Sequence, residues 1–79
     1  MGVRNAPDGT ETLLDEMITT QRQRVTDLAR RIEPTLSPDD LLQPHDHPAL
    51  AASPDFNFED GVLAGYLAVR AALRASRQR

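Results

Sequence analysis

Apolar side chains in residues 10–33 recur at alternating steps of four and three: Leu14, Ile18, Val25, Leu28 and Ile32, with Gln21 at the one polar step. Met17 and Ala29 widen this stripe. A period near 3.6 puts these positions on one side of a helix. The opposite side is mostly Thr, Gln, Arg, Asp and Glu, so the spacing predicts an outer helix with a single buried face. Thr10, or Asp8 with Glu11 three residues on, supplies the cap, while Glu11, Asp15 and Glu16 suit the positive helix end. Pro34 ends the segment, because the residue before a proline is pushed out of helical geometry. Residues 1–9 lack periodicity and carry Gly, Asn, Pro and Asp-Gly, which reads as a flexible leader.

Residues 58–76 superimpose two patterns. Large side chains recur at Val62, Tyr66, Val69 and Leu73, and a second row of small ones, Gly61, Gly65, Ala68, Ala72 and Ala75, runs about a quarter-turn round the helix. Two apolar faces are one more than a two-helix chain covers by itself. Each glycine inside a helix costs roughly 1 kcal/mol relative to alanine, so Gly61 and Gly65 call for a compensating close approach of another backbone. The expected partner interface is therefore Gly61, Gly65, Tyr66, Ala68 and Ala72, with Leu63 or Leu67 adding bulk beside it. Asn57 is the expected cap of this helix, with Glu59 and Asp60 near its positive end.

The intervening residues 34–57 hold five of the six prolines. Ser37-Pro38-Asp39-Asp40 combines a capping hydroxyl, a first-turn proline and carboxylates, and predicts a short helix over 38–43 that Pro44 stops. Ser53-Pro54 marks a second single turn. A structureless connection of this length is unusual in a compact domain, so Leu36, Leu41, Leu42, Leu50 and Phe56 are expected to pin it to the long helices. The predicted architecture is all-α: residues 10–79 form one antiparallel helical hairpin with a long connector containing a short helix. Two copies then join as a four-helix bundle with the last helices central and the first ones outside.

Composition sharpens the expectation of a partner. Seventy-nine residues make one small domain at the margin of independent stability, and the chain has no Cys, no Trp, and ten Ala among its apolar residues. Without disulfides or a convincing metal site, oligomerisation is the remaining device, and the expected state is a homodimer, alone or presenting a helical surface to an unidentified protein partner. The net charge of −3 argues against a general nucleic-acid binder, although its layout is uneven. Residues 33–60 contain no Lys or Arg, whereas residues 61–79 contain Arg70, Arg74, Arg77 and Arg79 and no acid. Those arginines complement a helix C-terminus and lack the interleaved aromatics of a single-strand binder, so no nucleic acid is expected. No apolar run approaches the roughly 18 residues of a membrane span, and the N-terminus lacks a signal-peptide core. The reading is cytoplasmic, with no membrane partner.

Candidate chemistry is sparse. His45-Asp46-His47, with Asp39, Asp40 and Asp55 nearby in sequence, offers imidazole and carboxylate ligands for zinc or nickel. Pro44 and Pro48 explain the same triplet as a turn. A magnesium site built from Asp15-Glu16 and Glu59-Asp60 needs acids one turn apart facing inward, yet Glu16 lies nearly opposite the apolar stripe and Glu59-Asp60 sits at the expected helix end. With no Cys, and each Ser in a cap or tail position, nucleophilic catalysis has no candidate. No catalytic, cofactor-binding or metal residue is assigned and no cofactor is expected. The function read from the sequence is a small non-enzymatic helical protein–protein interaction module; the rival is a metal-assisted hydrolase of small phosphate compounds acting through His45, Asp46 and His47.

Overall fold

The computed structural model describes residues 9–78; the leader before Gly9, the Asp8 cap and Arg79 lie outside the described residues. The elements are α1 (Thr10–Ile32), two 3₁₀ turns (Asp40–Leu42 and Pro44–Asp46), α2 (Pro48–Ala51) and α3 (Pro54–Arg77). No strand occurs among the described residues, and α1 and α3 pack closely as a hairpin. Among the described residues no helix is long and apolar enough to cross a membrane.

α1 begins on Gly9, whose φ of 84° is left-handed, and the Gly9 carbonyl accepts the Leu13 amide at 2.9 Å. Glycine fits here because other residues rarely adopt that backbone. The cap position expected at Thr10 is therefore Gly9, which has no side chain to offer. At the far end Glu33 turns extended before Pro34 while its amide still reaches the Ala29 carbonyl at 2.8 Å. Leu14, Ile18, Gln21, Val25 and Ala29 are buried, which is the predicted stripe; Met17, expected to widen it, is instead 38% exposed.

α3 starts four residues earlier than its apolar pattern suggests. Ser53 is the cap, accepting the Phe56 amide on its hydroxyl at 3.1 Å, and Pro54 fills the first helical position. Ser53-Pro54 thus opens the long helix rather than a separate turn. Asn57, expected as the cap, lies inside α3, and its side-chain amide donates to the Ala51 carbonyl at 2.9 Å, tying α3 back to α2. The early start places Phe56, 1% exposed, two turns before Leu63 on the same face.

The connector is more structured than a single short helix. Its predicted segment over 38–43 appears as the 3₁₀ turn Asp40–Leu42, and α2 was not anticipated. Ser37 and Asp40 bond reciprocally: the Ser37 amide donates to the Asp40 carboxylate at 2.9 Å, and the Asp40 amide to the Ser37 hydroxyl at 3.3 Å. Leu36, Leu50 and Phe56 join Val25 and Ala29 in a core cluster, with Leu28, Ile32, Leu41 and Leu63 packed against it. Leu42, expected among the pins, is 75% exposed. The hairpin is consequently thick at its connector end, where a third layer covers the helices, and only two helices thick at the other.

Candidate functional site

α3 meets α1 along a seam that neither of its two sequence patterns describes. Phe56 and Leu63 join the core cluster, Leu67 is half-buried, and Arg70 and Arg74 continue the row by bonding to α1. Arg70 donates to Asp15 at 3.0 Å and Arg74 to Glu11 at 2.9 Å, while Arg77 also pairs with Glu11. Three arginines of the basic stripe thereby meet two acids of the first turns of α1 within the chain.

Gln21, the polar step in the α1 stripe, is 5% exposed. Its side-chain amide donates to the Glu59 carbonyl at 2.8 Å and to the Glu59 carboxylate at 2.7 Å. Because α3 begins at Pro54, Glu59 lies in the second helical turn, and its carboxylate serves this cross-helix contact rather than the helix end. Asp55 is the acid left in the first turn.

The small-residue row stands clear of all of this. Gly61, Gly65, Ala68, Ala72 and Ala75 are exposed, and a Cβ built on Gly61 or Gly65 meets nothing within 4 Å. Neither α1 nor the connector uses the row, so the close approach that would offset these glycines does not occur among the described residues. Phe58, 67% exposed, and Val69, 52% exposed, lie on the same outer side of α3. Tyr66, grouped with the small row by sequence, points elsewhere. It is half-buried and lines a groove of about 360 Å³ with Leu13, Glu16, Met17, Thr20, Gln21 and Arg24 of α1.

Two members of this apolar surface escaped the sequence reading. Leu13, 59% exposed, is overshadowed by its buried neighbour Leu14, and Phe58 reads in the sequence as the start of the helix rather than part of its face. Their signal was present: Leu13 and Met17 are one turn apart on α1, as are Phe58 and Val62 on α3.

The histidine triplet is drawn into the connector. His47 lies with Nδ1 3.5 Å from Glu33 Oε2 and Nε2 3.7 Å from Asp40 Oδ1, so that when protonated it clasps the end of α1 to the first 3₁₀ turn. Hydrogen bonds from the Ser37 amide and hydroxyl, and to a smaller extent the charge of His47, hold the Asp40 carboxyl below the usual carboxylate range. Among the described residues no group of three or more His, Cys, Asp or Glu is placed to hold a metal ion. The side chain of His45 lies outside those described.

No protein family, characterised protein or solved structure matches this chain.

Proposed function

We propose that the protein is a small non-enzymatic interaction module that works as a homodimer through the outer face of α3, and that it acts in the cytoplasm. One observation carries this reading: Phe58, Gly61, Gly65, Ala68, Val69 and Ala72 form a face without charged residues that stays exposed among the described residues, with open space over both glycines. An apolar face of this kind on a chain with so small a core is the signature of a surface completed by another molecule. The hydrolase reading has no comparable support, since His47 is engaged by Glu33 and Asp40.

Gly65→Ala separates the two states of the protein by sign. In an isolated chain the added methyl meets nothing, and the helix gains up to about 1 kcal/mol. Across a close helix–helix contact the same methyl forces the backbones apart. Sedimentation equilibrium is expected to show the parent as a dimer and Gly65→Ala as a weaker one, with the variant's monomer melting no lower than the parent's. A parent that stays monomeric at millimolar concentration overturns the proposal.

A further inference from the structure

Resting on that reading of α3, we infer that the second copy is seated toward α1, over the groove where Tyr66 meets Leu13 and Met17, so that both helices of each hairpin form the interface. Phe58, Val62, Gly65, Val69 and Ala72 follow one another at steps of four and three, an uncharged seam along the outside of α3. Tyr66 lies one turn from both Val62 and Val69, on the side of the seam facing α1, and Ala64 lies on the far side. The seam therefore passes through Tyr66 onto Leu13 and Met17 without a break. The Arg70–Asp15 and Arg74–Glu11 pairs set the level of this surface along the rod, at the end away from the connector.

Three observations favour a second copy there. The connector layer of Leu36 and Leu50 covers the helices at one end only; of the exposed large apolar residues of the two long helices, Leu13, Met17 and Val69 fall at the other end and Phe58 at the connector end. Area decides the placement. The seam of α3 alone, Phe58 to Ala72, is about 22 Å by 10 Å and buries roughly 450 Å² over two copies, well within the size of a crystal-packing contact. Adding the flank of α1 from Leu13 to Arg24 brings the total to about 800 Å², so only a contact using both helices approaches the size of a specific interface. Charge permits self-pairing: the groove carries one acid, Glu16, and one base, Arg24, so a two-fold contact that sets this surface against itself meets no net repulsion.

Sedimentation velocity over a hundredfold concentration range tests the seat with three exposed substitutions in the full chain. Met17→Glu and Val69→Glu are expected to weaken dimerisation at least tenfold, and Ala64→Glu to leave it within twofold, with helical content in circular dichroism unchanged throughout. A parent dimer that Met17→Glu does not weaken overturns the seat while the reading of α3 stands. A parent dimer that Ala64→Glu weakens as much as Met17→Glu also overturns it, because the contact would then lie on the far side. A monomeric parent overturns both.

Discussion

A single glutamine shows how one polar residue in an apolar stripe sets a register. Sliding α3 by a turn along α1 would set one leucine in the place of another at Leu63 and Leu67, but it withdraws Phe56 from the core and strands the buried Gln21 amide from the Glu59 carbonyl and carboxylate. Gln21→Ala is expected to lower stability by about 2 kcal/mol, combining a lost charge-assisted hydrogen bond with a small cavity. Gln21→Leu refills the space and should recover at least half of that loss in urea denaturation. Equal losses in the two variants would show that the hydrogen bonds, not the packing, account for the whole effect. The sequence made Gln21 visible as an interruption. It gives no sign of the partner, because with a cap at Asn57 Glu59 reads as a helix-end acid.

At the scale of elements, that misplaced start has a physical origin. Apolar periodicity reports only the part of a helix that contacts something apolar, and the first turn of α3 contributes one such residue, Phe56. Ser53 and Pro54 announced the start through capping chemistry, which competed with an equally good signal at Asn57. Substitution separates the two. Ser53→Ala removes the hydroxyl that accepts the Phe56 amide and is expected to cost about 1 kcal/mol, whereas Asn57→Ala loses one exposed hydrogen bond and should cost less than half as much in the same denaturant titration. The antiparallel pairing was legible for a firmer reason. Acids in the first turns of α1 and arginines in the last turns of α3 each complement their own helix end, and only antiparallel packing also brings them together. A parallel pair would set Arg70, Arg74 and Arg77 beside Arg30 and Arg31.

The molecule as a whole is a rod of 50 × 21 × 18 Å, with a radius of gyration of 15.6 Å. A compact chain of this length has a radius near 12 Å. An elongated shape buries little, and the only large side chains fully withdrawn from water among the described residues are Phe56 and Leu50, both at the connector end. Leu14 and Ile18 are sheltered at the other end only by the facing helix, with Leu13, Met17 and Val69 still in water around them. If a second copy completes that end, folding and association draw on the same apolar surface, and stability must depend on concentration by mass action. Raising the protein concentration a hundredfold is then expected to raise the melting temperature by about 5 °C or more, given the small unfolding entropy of a chain this size. Calorimetry at a fixed scan rate measures this directly. A melting temperature independent of concentration would mean that the connector-end core, together with the Gln21–Glu59 and arginine–carboxylate contacts, is sufficient to hold the hairpin folded alone.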